Sequence, residues 1–331
     1  MSKVVRFHRL GGPETLQVDE VQVGAPKAGE VRIKVAAIGL NRVEAMFRSG
    51  AFGAPTLPAR IGYEAAGIIE AVGDGVHDFK AGEHVATMPG LPMETHGTYA
   101  EEILYPANML IRQPAGLPLE AAAAAWMQYL TAYALIGITQ LKSSDTVVIT
   151  AASSSVGLAA IQIANSIGAR SIAVTRGQSK VEALTAHGAS HVVATDQENP
   201  TEAVMRLTGG QGARIIFDAV AGKLLGQLAM ATAPGGWVIV YGSLAGDTMP
   251  VSLPAFMMKG LTLRGYAMND FMRDESHRQR AIDFIGKGLS SGTLKPVIDR
   301  VFPLSEIAAA HRYLEGNTQI GKIIVRPDAS R

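Results

Sequence analysis

The stretch Thr146-Val-Val-Ile-Thr150, Ala151-Ala-Ser-Ser-Ser-Val-Gly157, Leu158-Ala-Ala-Ile-Gln-Ile-Ala-Asn-Ser-Ile-Gly168 decides the fold of this chain. Its first five residues are all β-branched, the mark of a strand buried on both faces. A small, serine-rich turn follows, and residues 156–167 read as a helix closed by Gly168, where a left-handed cap is wanted. Strand, tight turn and helix are the parts of a dinucleotide-binding unit, whose ideal fingerprint is G-x-G-x-x-G. Here Ala152-Ser153-Ser154-Ser155-Val156-Gly157 keeps only the last glycine. Residues this small still let backbone amides and serine hydroxyls approach a pyrophosphate at a helix N-terminus. A serine-rich turn before a helix is also an ordinary N-cap, so the turn alone leaves both readings open.

The next strand sharpens the reading. An NAD site places Asp or Glu near the end of its second strand, to bind the ribose 2′-hydroxyl. Ser171-Ile-Ala-Val-Thr175 instead runs into Arg176-Gly177-Gln178-Ser179-Lys180, with no carboxylate. Arg176 and Lys180 suit a 2′-phosphate through charge-assisted hydrogen bonds. The expected cofactor is NADP(H), held by Ser153, Ser154, Ser155, Val156, Gly157, Thr175, Arg176 and Lys180.

Further along, a helix over 179–187 and strands at 191–194, 214–218 and 236–241 continue the alternation, which predicts a doubly wound parallel sheet with right-handed crossovers. The first third is different. Residues 31–36 alternate apolar and polar, and short strands at 67–73 and 84–88 are punctuated by glycine and proline, as in a small irregular barrel. After residue 265 the pattern changes to amphipathic helices at 278–287 and 305–315 and a closing strand at 321–327. No 20–50-residue repeat is present.

Composition narrows the function. The 331 residues contain 30 basic and 29 acidic side chains, for a net charge of +1, and only 6% are aromatic. Neither an anionic membrane nor nucleic acid is an expected partner. With no cysteine, disulfides, iron–sulfur clusters and thiol nucleophiles are excluded, while a zinc site of His and carboxylate stays compatible with the composition. Residues 121–141 carry no charge, but their alanines, Gln128, Thr131 and Thr139 read as buried helices rather than a membrane span. With no export signal at the start, the chain is expected to be cytoplasmic. Gly288-Leu-Ser290-Ser-Gly292 imitates a hydrolase nucleophile elbow, yet follows a helix where the elbow must follow a strand. His96 and Glu94 read as solvated loop residues, and Glu64 as a barrel or backbone contact.

Gly11-Gly12-Pro13-Glu14, Gly39-Leu-Asn41 with Arg48-Ser-Gly50, Gly62-Tyr-Glu-Ala-Ala-Gly67, Leu130-Thr131-Ala132, the 151–157 turn, and Ala309-Ala-His311 ahead of Gly321-Lys322 stand in order along nearly the whole chain. In this the chain resembles the zinc-independent medium-chain dehydrogenase/reductases, in their quinone oxidoreductase-like branch. The resemblance implies an α/β fold: a GroES-like, partly open β-barrel over 1–122 and 266–331, and a Rossmann domain over 123–265. It also implies a cofactor and substrate meeting in the cleft between domains, and a homodimer. Zinc-containing relatives carry a cysteine where this chain has Asn41, a histidine where it has Tyr63, and a third ligand near Met127, so no catalytic metal is expected.

Without a metal to polarise a carbonyl, hydride transfer favours an already electrophilic carbon, as in quinones and α,β-unsaturated carbonyls. The resemblance places Asn41 beside the nicotinamide or its ribose, and Tyr63 is the expected donor to the substrate oxygen. Gln128 and Thr131 are expected to line the nicotinamide pocket, with Gly242 and Ser243 at a strand's carboxyl edge. Tyr266, Ala267 and Met268 would meet the nicotinamide amide through backbone groups, and Asn317 and Lys322 would close over the phosphates. Related reductases often carry a tyrosine where this chain has Met46, which leaves the small-molecule substrate unassigned. Two other readings stay open: a zinc-free alcohol dehydrogenase or carbonyl reductase, and a low-activity NADPH-binding structural protein.

Overall fold

The computed structural model describes residues 1–327 apart from 247, 251, 268, 269, 271 and 272. The chain forms two units. One comprises Met1–Met127 and the return that begins at Lys295; the other is the contiguous Gln128–Leu294. The first unit holds β1 (Ser2–Phe7), β2 (Leu16–Val21), β3 (Glu30–Gly39), β4 (Ala59–Arg60), β5 (Glu64–Val72), β6 (His84–Thr87), β7 (Glu102–Pro106) and β8 (Leu110–Arg112). The second holds β9 (Thr146–Ile149), β10 (Arg170–Thr175), β11 (His191–Ala194), β12 (Ala213–Asp218), β13 (Thr232–Val240) and β14 (Thr262–Gly265), and the return adds β15 (Ile298–Pro303) and β16 (Lys322–Arg326) to the first.

In the first unit, β3 is the hub. It pairs antiparallel with β5, β7 and β16, placing Ile324 opposite Gly39 across nearly the whole chain. The sheet runs β15-β16-β3-β5-β6-β8, and β1 lies between β2 and β4 in a separate three-stranded sheet. This is the GroES-like half of the expected fold. β16 is buried at its first four positions, so Lys322, at its start, faces inward.

The second unit is the parallel sheet that the β-branched runs predict, in the order β11-β10-β9-β12-β13-β14. Numbered within the unit this is 3-2-1-4-5-6, the Rossmann order, in which ligands bind beyond the carboxyl ends where the order reverses. The reversal lies between β9 and β12. Val148, Ile172, Val193, Ile216 and Val238 form the core; full burial of each such side chain is worth about 1.5–3 kcal/mol. The helix Ser155–Ile167 starts on Ser154, whose hydroxyl accepts from Gly157 N–H, and ends on Gly168 at φ 82°.

Residues 266–294, which the resemblance assigns to the barrel, cluster instead with the parallel sheet. The helix Glu275–Ser291 lays His277 and Phe284 against Tyr133, with ring centroids 5.6 and 5.8 Å apart. The serine elbow imitation lies at the end of this helix, capped by Gly292 at φ 74°. The uncharged stretch forms three short helices, Leu119–Ala123, Trp126–Ala132 and Ala134–Gly137. Among the described residues, no helix is long and apolar enough to cross a membrane.

Candidate active site

The nucleotide turn is built where β9 ends. Ala151 sits at φ 45°, a left-handed backbone that costs an L-residue about 1–2 kcal/mol. Gly157 is held against the turn: a Cβ there would lie 2.5 Å from Ala152 O. At the end of β12, Ala221 adopts φ 60°, ψ −150°, a region occupied almost only by glycine. A buried pair ties the two strand ends together. Thr150 Oγ1 donates to Asp218 Oδ1 at 2.7 Å and accepts from Ala219 N–H at 3.0 Å, while Asp218 Oδ2 accepts from Ala221 N–H at 2.6 Å. Burial raises the Asp218 carboxyl above its ordinary range, against the opposing hydrogen bonds from Thr150 and the backbone. Strain of this kind, held at a crevice between strand ends, is characteristic of ligand sites.

Two cations stand at the same edge. Lys180 Nζ donates to Ser153 Oγ at 2.9 Å, joining the second strand's basic segment to the turn. Thr175 is buried at the end of β10, and Arg176 beyond it is exposed. Gly242 and Ser243 follow β13 and line a cavity of about 280 Å³ with Ala221, Val240 and Leu263. Gln128 is 2% exposed, and its Oε1 has no hydrogen-bond partner among the described residues. The close-packed turn and the two cations fit a bound dinucleotide phosphate, whereas an orphaned amide oxygen calls for a donor. Thr131 lies three residues on, in the same helix, Trp126–Ala132.

The first unit assembles a second cluster. Lys322 Nζ donates to Glu64 Oε2 at 2.6 Å and to Asn41 Oδ1 at 2.7 Å; Lys322 and Glu64 side chains are 1% and 0% exposed. Glu64 Oε1 accepts from Met127 N–H at 3.0 Å, in line with the backbone contact expected of it. A Cβ on Gly39 would lie 2.7 Å from Lys322 Cε and 2.9 Å from Glu64 Oε2, so the glycine of Gly39-Leu-Asn41 makes room for this ion pair. Asn41 Nδ2 donates to Gly39 O at 3.0 Å. Tyr63 is half-buried, and burial, then the Glu44 carboxylate, raises its hydroxyl above the usual phenol range.

Lys322 therefore departs from the expected phosphate clamp: it is sealed inside the barrel as a counter-charge. Asn317, at φ 56°, accepts from the Arg42 guanidinium and donates to Glu315 O at 2.9 Å. Tyr266 N–H is already given to Val240 O at 2.9 Å and its hydroxyl to Leu130 O at 3.0 Å, so its backbone donor serves the sheet. Ala267 is exposed, and Met268 lies outside the described residues. Glu44, Tyr99, Thr150 and Asp218 are given no site role by the sequence, and His311 stands there only within the Ala309-Ala-His311 mark; the Asn41-x-x-Glu44 spacing, that of a helix start, hints at Glu44.

A zinc ion does not fit the residues at the positions corresponding to the zinc ligands. Both termini of the Asn41 amide are engaged, Oδ1 by the Lys322 ammonium, and a second cation there would meet that charge. Among the described residues no group of three His, Cys, Asp or Glu side chains is placed to hold a metal.

Comparison with known proteins agrees with both halves. Residues 27–115 match the GroES-like domain of alcohol dehydrogenases, and 155–287 match the family described as zinc-binding dehydrogenases. The chain is 32% identical to a 2-haloacrylate reductase of a Burkholderia species, covering 98% of each chain. It is 33% identical to human quinone oxidoreductase, again covering 98% of each. The crystal structure of Escherichia coli quinone oxidoreductase complexed with NADPH superposes with a TM-score of 0.91 at 28% identity, covering 98% of this chain and 100% of that one. On sequence, domain content and strand order together, the chain belongs to the quinone oxidoreductase-like branch of the medium-chain dehydrogenase/reductases, a family of oxidoreductases.

Proposed function

We propose that this chain is an NADPH-dependent reductase that delivers hydride to a quinone or another α,β-unsaturated carbonyl compound without a catalytic metal. The observation that carries the reading is the Lys322–Asn41–Glu64 cluster. Asn41 Oδ1 accepts from an internal ammonium, so the substrate must bring its own electrophilic carbon. The names of the relatives point the same way, since a haloacrylate and a quinone both hold a carbon–carbon double bond conjugated to a carbonyl.

When bound, NADPH supplies the hydride. The protein's part is to bind, orient and stabilise charge. Lys180 and Arg176 recognise the 2′-phosphate, the 153–157 turn receives the pyrophosphate, and Gln128 Oε1 accepts from a cofactor donor. Asn41 fixes the nicotinamide edge. Tyr63 donates to the oxygen on which charge collects; raised above the phenol range, it stays protonated at neutral pH, as a donor must. Oxidation of NADPH with quinones, 2-alkenals, haloacrylates, ketones and enoyl thioesters tests this. Turnover confined to conjugated acceptors is expected; faster turnover of saturated ketones, or loss of activity with a chelator, overturns it.

The same reading makes the enzyme a cytoplasmic homodimer. All four residues of β14, at the open edge of the parallel sheet, are exposed. Leu253, Met257 and Met258 nearby in sequence are 68%, 81% and 89% exposed. A second copy covering this edge would account for both, and light scattering of the purified protein decides it.

A further inference from the structure

Glu44 is a fully buried carboxylate that four donors share. Oε2 accepts from Asn41 N–H at 2.6 Å and from Tyr99 O–H at 2.5 Å; Oε1 accepts from Tyr63 N–H at 2.9 Å and from Asn41 Nδ2 at 3.4 Å. One side chain thus holds the backbones of both residues assigned to the reacting atoms, although they are 22 positions apart in sequence.

Behind Tyr99 the hydrogen bonds run in a single direction. Arg48 Nη1 lies 2.8 Å from His311 Nδ1, and His311 Nε2 lies 3.2 Å from Tyr99 Oη. Arginine has only donors, so Nδ1 is the acceptor. Burial first, then the Arg48 charge, lowers the imidazole to about 3, so the ring is neutral and its proton is on Nε2. That proton is given to Tyr99, and Tyr99 gives its own to Glu44. Arg48 is anchored in turn by Gly11 O at 3.0 Å and by Glu315 Oε1 at 2.7 Å.

We propose that Arg48, His311, Tyr99 and Glu44 form a directed positioning relay, through which the helix Ile307–Glu315 sets the placement of Asn41 and Tyr63 without touching substrate. The proposal rests on the assignment of Asn41 and Tyr63 to the reacting atoms. Glu44 is also faced by the Tyr63 ring and by Lys322 from β16, the latter itself paired with Glu64. Burial lifts the Glu44 carboxyl to about 6, and Tyr99, Asn41, Lys322 and Tyr63 oppose the rise.

Three variants of the full chain test the relay, with NADPH and the best conjugated acceptor. His311→Gln can accept from Arg48 through Oε1 and donate to Tyr99 through Nε2, preserving direction; His311→Leu can do neither. Tyr99→Phe removes one O–H with little change of shape, and it remains informative if His311→Leu does not fold. The expected result is a kcat at least tenfold lower in His311→Leu and Tyr99→Phe, within threefold of the parent in His311→Gln, and NADPH affinity within threefold in all. In Tyr99→Phe the acid limb of kcat is expected to move to higher pH, which a packing role would not produce. Full kcat in Tyr99→Phe, or equal losses in folded His311→Gln and His311→Leu, overturns the relay. Asn41→Ala and Tyr63→Phe are measured alongside. If both keep full kcat, the site assignment fails and the relay falls with it. If either is impaired while Tyr99→Phe is not, only the relay fails.

Discussion

Replacing Lys322 with methionine tests the role that burial assigns to it. The ammonium is 2.6 Å from a carboxylate that is itself fully buried. Removing one partner of a buried ion pair leaves the other charge uncompensated and costs about 3–5 kcal/mol. Glu64 keeps its bond from Met127 N–H, which places the expectation near the lower end. At about 2–4 °C per kcal/mol for a domain of this size, a cost of about 3 kcal/mol makes Lys322→Met lower the melting temperature by roughly 6–12 °C. Adding Glu64→Gln removes the stranded charge, and the double variant is expected to recover at least half the loss. Differential scanning calorimetry supplies both values. The dependence of NADPH affinity on salt, from fluorescence titration at a temperature where Lys322→Met is folded, is expected to match the parent. A loss under about 1 kcal/mol would refute the buried-pair argument. A flattened salt dependence would return Lys322 to the phosphates.

The nucleotide site yields two sharper outcomes. Arg176→Ala is expected to weaken NADPH binding about 10- to 150-fold, the worth of a charge-assisted hydrogen bond of about 1.5–3 kcal/mol, and to leave NADH kinetics unchanged; equal effects on both cofactors would contradict the 2′-phosphate role. Gly157→Ala puts a methyl 2.5 Å from Ala152 O and should cost at least about tenfold in NADPH affinity, about 1.4 kcal/mol, in isothermal titration. His311 gives a pH signature. Its folded value of about 3 lies below an unfolded value near ~6.5, so the unfolded chain takes up the proton first and stability present above that pH is lost as pH falls toward 3. Glu44, raised to about 6, acts in the opposite sense between the two carboxyl values. Urea titrations of the parent and of His311→Gln from pH 7 to 4 isolate the histidine contribution, and parallel curves would contradict its neutral burial.

The parallel sheet was legible because strands buried on both faces show as runs such as Thr146-Val-Val-Ile-Thr150, and helix ends show as glycines such as Gly168. The first third shows only as a small irregular barrel, and its GroES-like form depends on resemblance, since short strands of mixed pairing leave weak periodicity. The unit boundary is not legible, because an amphipathic helix announces that it buries one face and not against what; Tyr133, whose ring meets His277, is 144 residues from it. At the site, Arg176, Lys180 and the serine turn are local in sequence, so a reading along the chain reaches them together. Lys322 was misread because a lysine entering a strand ordinarily faces solvent, and its partner Glu64 is 258 residues away. Glu44, Tyr99 and His311 have no shared spacing at all; only folding brings them together.

The pairing of β16 with β3 has a consequence for synthesis. The parallel sheet is contiguous in sequence and can condense once residue 294 has emerged. Until residue 322 follows, Glu64 lacks its ammonium and Asn41 lacks the donor on Oδ1. The nascent first unit therefore waits with a carboxylate whose counter-charge is missing and with Ile38 and Gly39 of β3 unpaired on one side, an edge open to mispairing with other strands. The ion pair at the centre of the first unit thus forms only after β16 has been made, and a chaperone would find its substrate in the chain before that strand arrives.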